Sequence, residues 1–150
     1  MSIRNKIFEA LCAVVLAFML VTCVNTQKAE AAEYNEVDVL MIAQMTMAEA
    51  EDQPEMGQRL VIDTILNRVD SSSYPNDVYG VISDRKYGKQ FTSFYNGRYN
   101  KCFATEALIA LVEEEIESRT NNQVMWFSRK RPTCGNRAMR VGNHTFTWKE

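Results

Sequence analysis

The sequence predicts a small α+β domain that is dominated by helices and ends in a β hairpin. Apolar residues recur at helical spacing through most of the chain after residue 38. The alternating pattern that is typical of strands occurs only from Val124 onward. The length of 150 residues is enough for one domain with one core.

Residues 1–32 are predicted to be a signal peptide, which leaves residues 33–150 as the folded domain. Two basic residues open the chain, residues 11–24 form an uncharged apolar run, and Ala29-Glu30-Ala31 matches a signal-peptidase site. The run is short for a membrane span. We therefore expect an exported protein without a membrane span after processing. An uncleaved anchor is the alternative, and lipidation at Cys23 is a weaker one.

Two helices are predicted in the first half of the domain. Asp38 is a plausible N-cap for a helix from Val39 to Glu51, which is apolar on nearly all sides and should be buried. Pro54 ends this helix because its ring cannot continue the hydrogen-bond ladder. A second helix is predicted from Glu55 to Val69, where apolar residues again recur at helical spacing.

The second half is predicted to hold shorter elements around one more long helix. A short helix at 77–83 precedes a long loop at 84–101, which is expected to be functional because long loops in compact domains usually are. The third long helix covers 103–119. Strands are predicted at 124–127 and 144–148, with the basic segment 129–142 as an irregular connection between them.

Glu49 is the acid that the sequence singles out for chemistry. It follows the stretch Ile42 to Ala48, which is almost entirely apolar and is broken only by Gln44. A carboxyl group against an apolar wall loses hydration, and this favours its protonated form. A protonated carboxyl is the general acid that breaks a glycosidic bond. The alternative is an ordinary glutamate on a helix surface.

Composition excludes several other classes of function. The formal net charge is -2, so there is no basic excess that would bind nucleic acid. A single histidine cannot build a His-rich metal site, and no metal or other cofactor is expected. The exported domain keeps Cys102 and Cys134, which could form a disulfide or remain reduced. A monomer is the default expectation.

A series of short motifs in a fixed order resembles the SleB-type cell-wall hydrolases, the catalytic module of spore cortex-lytic enzymes. No single motif is specific, but their order and spacing are. The motifs are Ala48-Glu49-Ala50, Pro54, Gly57, Asn67-Arg68-Val69, Tyr74-Pro75-Asn76, Gln90-Phe91-Thr92, Gly142-Asn143-His144 and Phe146.

The resemblance implies a lysozyme-like fold related to goose-type lysozymes and lytic transglycosylases. It also implies cleavage of the β-1,4 bond between N-acetylmuramic acid and N-acetylglucosamine in peptidoglycan glycan strands. The family's catalytic acid falls on Glu49, and its product is a 1,6-anhydro end. A secreted, wall-acting protein follows, with spore cortex as one candidate wall. Candidate substrate-binding residues are Gln90, Phe91, Thr92, Trp126, Phe127 and His144. The three aromatic residues could instead pack in the interior, and His144 could be a structural residue that ties the last hairpin to the helices.

The chain departs from the family pattern directly after the proposed acid. Members commonly read Glu-Ala-Arg-Gly-Glu-Pro, whereas this chain has Glu51 in place of the arginine and Gln53 in place of the second glutamate. If the second acid tunes the site, the activity of this chain will differ. Two alternatives therefore stay open: a hydrolytic muramidase in which another carboxylate positions water, and a non-catalytic wall-binding protein that retains the fold.

Overall fold

The structure is a computed structural model, and it describes residues 33–86 and 89–150. The predicted signal peptide lies outside the described residues. The described part confirms a helix-dominated α+β domain. Its elements are α1 Glu36–Ala50, α2 Glu55–Val69, α3 Val78–Ile82, α4 Thr92–Tyr95, a 3₁₀ turn Tyr99–Lys101, α5 Glu106–Glu117, β1 Trp126–Ser128, β2 Arg137–Val141 and β3 His144–Trp148.

Helix α1 begins earlier than predicted because Asn35, not Asp38, is its N-cap. The Asn35 side chain accepts hydrogen bonds from the backbone N–H groups of Val37 and Asp38, at 2.8 and 3.1 Å. The Asp38 carboxylate in turn accepts from the Asn35 N–H at 3.1 Å. This reciprocal capping box satisfies donors that the first turn would otherwise leave unpaired, so Asp38 belongs to the helix interior.

The core lies where α1, α2 and α5 meet. Ile42 and Met45 of α1, Ile65 and Leu66 of α2, and Val112 of α5 are all fully buried. Burying a side chain of this size stabilises the fold by roughly 1.5–3 kcal/mol. The predicted bounds of α2 are confirmed: Pro54 precedes its first turn and Asp70 follows its last residue.

The C-terminal region is a three-stranded antiparallel sheet with strand order β1-β3-β2. Phe127 pairs with Phe146, and Met139 pairs with Phe146 from the other side. The predicted irregular connection at 129–142 is therefore wrong in part, because it contains β2. That strand is largely exposed at the sheet edge, so its sequence lacks the apolar alternation that marks a half-buried strand.

The segment predicted as a long loop, 84–101, contains α4 and the whole 3₁₀ turn. Gln44, the polar residue that interrupts the apolar run of α1, explains how this segment is held. Its side-chain amide donates to the carbonyl oxygens of Tyr99 and Cys102, at 2.8 and 3.0 Å. The turn is thus fixed to the middle of α1, and α4 lies between that anchor and α3.

The motif Asn67-Arg68 connects the end of α2 to the approach of β1. The Asn67 amide donates to the carbonyls of Asn121 and Val124, each at 2.9 Å, and Arg68 Nε donates to the Met125 carbonyl at 2.9 Å. These bonds fix where the sheet begins relative to the helices. Both residues are buried and neither lines the cleft, so they hold the domain together.

The structure also gives the state of the cysteines and the lengths of the helices. Cys102 and Cys134 are free thiols, one partly buried and one exposed, so they do not form the disulfide that was one of the two possibilities. Within residues 33–86 and 89–150, every helix is too short or too polar to cross a membrane.

Candidate functional site

A polar cleft of about 630 Å³ opens beside the C-terminal end of α1. Three parts of the chain converge on it: the end of α1, the segment around α4, and the end of β1 together with the start of β3. Its lining residues are Ala48, Glu49, Glu51, Asp52, Gln90, Thr92, Ser93, Arg98, Phe127, Ser128, Arg129 and His144.

Glu49 lies in the last turn of α1 and its half-buried side chain lines the cleft. The backbone N–H of Ser93 donates to its Oε1 at a long 3.4 Å. Among the described residues, Glu49 forms no ion pair. The apolar wall that the sequence suggested is elsewhere: Met45 and Ala48 pack into the core, while Glu49 faces polar groups and space large enough for a ligand.

Two side chains of the α4 region hold the end of α1 in place. Arg98 Nε donates to the Ala48 carbonyl at 2.7 Å, and the Ser93 hydroxyl donates to the same oxygen at 3.4 Å. Arg98 also pairs with Glu51 at 2.8 Å. A cation at a helix C-terminus satisfies unpaired carbonyls and complements the helix dipole. Glu49 is therefore presented from a fixed helix end rather than from a frayed one.

Gln53 does not reach into the cleft, contrary to the idea that this position tunes the acid directly. It is 6% exposed, and its Oε1 accepts from the Asn143 N–H at 2.8 Å. Its Nε2 donates to Asp52 at 2.6 Å, and this bond lowers the pKa of Asp52. Gln53 thus joins the end of α1 to the β2–β3 turn and keeps a cleft carboxylate ionised.

The β2–β3 turn needs glycine at position 142. Gly142 has φ +55°, and a Cβ there would lie 2.5 Å from Gln53 Oε1 and 2.8 Å from Pro54 Cδ. Both the left-handed backbone and the close approach exclude a side chain. The close contact of the turn at Gly142 and Asn143 with Gln53 therefore positions His144, the next residue, at the cleft.

His144 is the first residue of β3 and lines the cleft while being 5% exposed. Its ring lies 5.3 Å from that of Phe127 and 6.0 Å from that of Phe146. Burial lowers the pKa of His144, and the Asp52 charge opposes this effect. Its Nδ1 is buried without a hydrogen-bond partner. The neutral ring lines the cleft and is suited to hydrogen bonding with a ligand through its accessible edge, whereas Nδ1 is covered by protein.

The structure brings together four of the six predicted substrate-binding residues. Gln90, Thr92, Phe127 and His144 line the cleft with Glu49. Phe91 does not: it is fully buried and packs 6.1 Å from the ring of Phe127. Its prediction as a ligand contact is wrong because a side chain with no exposed surface belongs to the core.

Trp126 is also absent from the cleft and lines a separate cavity of about 510 Å³. It precedes Phe127 on β1, and successive side chains of a strand point to opposite faces. Ser93 and Arg98 were not predicted as site residues, although they fix the end of α1 at the cleft. Ser93 adjoins a recognised motif, but no local pattern pointed to Arg98. Across residues 33–86 and 89–150, no three His, Cys, Asp or Glu side chains cluster closely enough to hold a metal.

Comparison with known proteins gives curated relatives of one kind. The chain is 37% identical over 65 residues to the spore cortex-lytic enzyme of Bacillus cereus, an alignment that covers 43% of this chain and 24% of that protein. It is 41% identical over 51 residues to the spore cortex-lytic enzyme of Halalkalibacterium halodurans, covering 34% and 16%. The match thus spans about a quarter or less of the length of these relatives.

Solved structures resemble the fold over most of its length. The catalytic domain of the germination-specific lytic transglycosylase SleB from Bacillus anthracis matches with a TM-score of 0.61 and 27% identity, covering 77% of this chain and 98% of that one. The catalytic domain of Bacillus cereus SleB matches with a TM-score of 0.62 and 25% identity, covering 82% and 98%. These matches confirm the predicted lysozyme-like α+β class.

A family model described as Cell Wall Hydrolase matches residues 52–147. This range includes α2, the α4 region and the sheet as far as Thr147 of β3, and it begins three residues after Glu49. The family match therefore includes most of the cleft lining but not Glu49 itself. The chain belongs to the cell wall hydrolase family.

Proposed function

We propose that this chain is an exported peptidoglycan-degrading enzyme that cleaves the β-1,4 bond between N-acetylmuramic acid and N-acetylglucosamine. We propose that it acts as a lytic transglycosylase, which forms 1,6-anhydromuropeptides. Family membership and the likeness to a domain named as a lytic transglycosylase support the class of reaction. The finer assignment depends on the carboxyl groups of the cleft.

The observation that carries the proposal is the contrast among three cleft acids. Glu51 is paired with Arg98, and Asp52 accepts a short hydrogen bond from Gln53. Both therefore have close partners, and the hydrogen bond from Gln53 lowers the pKa of Asp52. Glu49 has only the long contact from the Ser93 N–H. It is therefore the cleft carboxyl that is most available to exchange a proton with a substrate.

One carboxyl group is sufficient for the transglycosylase reaction. The protonated Glu49 donates its proton to the glycosidic oxygen as the bond from that oxygen to C1 of the muramic residue breaks. The Glu49 carboxylate then takes the proton from the C6 hydroxyl of the same residue, and that oxygen forms a bond to C1. The acid is regenerated and no water is consumed, so neither a nucleophilic carboxylate nor a positioned water is required.

The rest of the cleft supplies groups suited to an N-acetylated sugar. Gln90 and Thr92 carry amide and hydroxyl groups, and His144 adds a neutral imidazole ring to the cleft lining. Phe127 supplies an aromatic ring at the same site. Hydrogen bonds combined with an aromatic surface fit an uncharged glycan better than charge pairing would. We assign these four residues to substrate binding.

Export and the choice of wall complete the proposal. Residues 1–32 act as a signal peptide, and the domain at 33–150 reaches the cell wall. The relatives are named spore cortex-lytic enzymes and a germination-specific enzyme, which makes spore cortex the first wall to test.

A hydrolytic muramidase is the second candidate, and one observation favours it. Asp52 lines the same cleft, and its hydrogen bond from Gln53 lowers its pKa. In an inverting glycosidase a second, ionised carboxylate activates the attacking water, and Asp52 is a carboxylate of this kind in the same cleft. We favour the transglycosylase because Asp52 already accepts a hydrogen bond from Gln53.

The assignment of Glu49 is tested by clearing of purified peptidoglycan and of spore cortex. We expect Glu49→Gln to lower the rate at least about a hundred-fold, the usual contribution of a general acid and base, without changing the unfolding midpoint. The matched control is Glu51→Gln, two residues further along, which should retain most activity. Equal activity of the wild type and Glu49→Gln would reject Glu49, and an inactive wild type would favour a non-catalytic wall-binding protein.

A further inference from the structure

A second cavity of about 510 Å³ adjoins the cleft, and we call it the side pocket. It includes Ser73, Tyr74, Gln90, Trp126, Cys134 and Lys149 in its lining. Gln90 lines both cavities, so the two cavities are neighbours at this residue. The volume is within the range of sites that bind small ligands.

The two cavities differ in the sign of their charged groups. The cleft contains Glu49, Glu51 and Asp52. Among the described residues, no acid lines the side pocket, and Lys149 is its one charged lining residue. The Lys149 ammonium lies over the Trp126 ring, 5.9 Å from its centre. A cation held beside an aromatic surface, with no carboxylate to neutralise it, attracts an anionic group that also carries apolar atoms.

A buried guanidinium behind the pocket wall adds to this positive field. Arg68 is 3% exposed, lies 5.2 Å over the Tyr74 ring, and donates to the carbonyl of Met125, another pocket residue. Asp84 acts on Arg68 through space, but Arg68 Nη1 and Asp84 Oδ2 are both buried without a hydrogen-bond partner. The wall formed by Tyr74 and Met125 thus has an incompletely paired cation directly behind it.

We propose that the side pocket binds the acidic peptide stem that peptidoglycan carries on muramic acid. This inference rests on the proposed function, since it takes the glycan to lie in the cleft. Where the lactyl carboxyl of muramic acid is joined to a stem, the glycan backbone itself is uncharged and would gain nothing from Lys149. The stem is anionic and partly aliphatic, and it branches from the sugar beside the bond to be cut. The pocket therefore favours cleavage next to muramic residues that carry a stem.

The test is calorimetric titration of the exported domain with the free tetrapeptide L-Ala-γ-D-Glu-diaminopimelate-D-Ala. Binding with a shift of the Trp126 indole N–H signal in an NMR spectrum is the expected result. Lys149→Gln should weaken binding about three- to five-fold, the size of one exposed charge pair. Lys101→Gln removes an exposed lysine that lines neither cavity and should leave the affinity within about two-fold.

A tetrapeptide with amidated carboxylates should bind as weakly to the wild type as the natural peptide binds to Lys149→Gln. The inference is overturned if the natural tetrapeptide does not bind, or if a neutral chito-oligosaccharide shifts Trp126 instead. Because titration needs no turnover, the two proposals fail separately. Cleavage without stem binding removes only the side-pocket inference, whereas stem binding without cleavage keeps the pocket and removes the proposed enzyme.

Discussion

Glu49 and Asp63 are both acids on the long central helices, but one lines an open cleft and the other is completely buried. Asp63 of α2 faces Glu115 of α5, and its Oδ2 accepts from the Asn121 N–H at 2.7 Å. Burial and the neighbouring Glu115 raise the pKa of Asp63 to about 8. Its Oδ1 is buried and receives no hydrogen bond, as expected of the oxygen that carries a proton toward Glu115.

Glu115 is held differently from its neighbour. Burial alone would raise the pKa of Glu115, but hydrogen bonds from Arg59 and Thr120 lower it overall. Arg59 Nη1 lies 2.8 Å from Glu115, and the Thr120 N–H donates at 2.6 Å. The pair lines neither the cleft nor the side pocket. A carboxyl group with a strongly perturbed pKa often marks an active site. Here it belongs to a cluster of Asp63, Glu115 and Arg59 that joins α2 to α5, which we call the lock.

The comparison teaches that an acid in an apolar helical run is not by itself a catalytic signal. Asp63 is flanked by Leu60-Val61-Ile62 and Ile65-Leu66, a stretch at least as apolar as the one before Glu49. What separates the two acids is access. Glu49 is at a helix end beside a cavity, whereas Asp63 is in mid-helix and covered by α5.

Breaking the lock should give the largest loss of stability. Removing the cation from buried Glu115 by Arg59→Met leaves an uncompensated charge, and we expect the free energy of unfolding in urea to fall by about 3 kcal/mol. The control Arg137→Met breaks an exposed pair with Glu150 and should cost less than about 1 kcal/mol. Equal losses for the two variants would contradict the lock. Activity per folded molecule should be unchanged by Arg59→Met.

The pH dependence of stability should sharpen the comparison next. The pKa of Asp63 is raised in the folded state to about 8. The stability that Asp63 contributes is therefore complete below the pKa that it has in the unfolded chain, and it is lost as pH rises toward 8. Burial lowers the pKa of His144, so the stability that this residue contributes is lost as pH falls. This loss occurs only below about pH 6.5. Between pH 6.5 and 8 the free energy of unfolding should therefore fall by roughly 1–2 kcal/mol.

Asp63→Asn tests this assignment because the amide imitates the protonated acid. It can accept from the Asn121 N–H and donate to Glu115. Urea unfolding of this variant should lose the fall between pH 6.5 and 8 and should match or exceed the wild type at pH 8. The same slope in both proteins would show that another group titrates.

A smaller effect on stability is expected from the hydrogen bonds that Gln53 forms beside the cleft. Gln53→Glu keeps the acceptor for the Asn143 N–H but replaces the donor to Asp52 with a second carboxylate. The lost donor at this buried position should lower the free energy of unfolding by about 1 kcal/mol. The double variant Asp52→Asn with Gln53→Glu should recover it, since Asn can donate to the new acid. A double-mutant cycle without coupling would show that the observed bond is not energetically important.

Much of the frame was predictable from local signals. The bounds of α2 followed from its periodicity and from Pro54, and β3 was predicted at its observed residues. The parts that failed depend on tertiary contacts. An exposed edge strand such as β2 has no apolar alternation in its sequence. Asn35 and Asp38 are both good N-cap residues within one turn, and only the backbone conformation shows that Asn35 is the N-cap.

The site was predictable only as a list of motifs. Glu49, Gln90, Thr92 and His144 do converge, but a single sequence cannot tell which of the adjacent aromatics Phe91 and Phe127 is covered. Arg98 was beyond reach, since its contact with α1 spans 50 positions in the chain. The pairing of Gln53 with Asp52, which departs from the family pattern, also became intelligible only from the hydrogen bond between them.

The measurement that tests the central claim most directly is mass spectrometry of the soluble products from peptidoglycan and spore cortex digested with the exported domain. If Glu49 acts alone, the muropeptides carry 1,6-anhydro ends and incorporate no oxygen when the digest is run in ¹⁸O-labelled water. Products with reducing ends, heavier by one labelled water, would contradict single-acid chemistry and point to Asp52 as the partner that positions water.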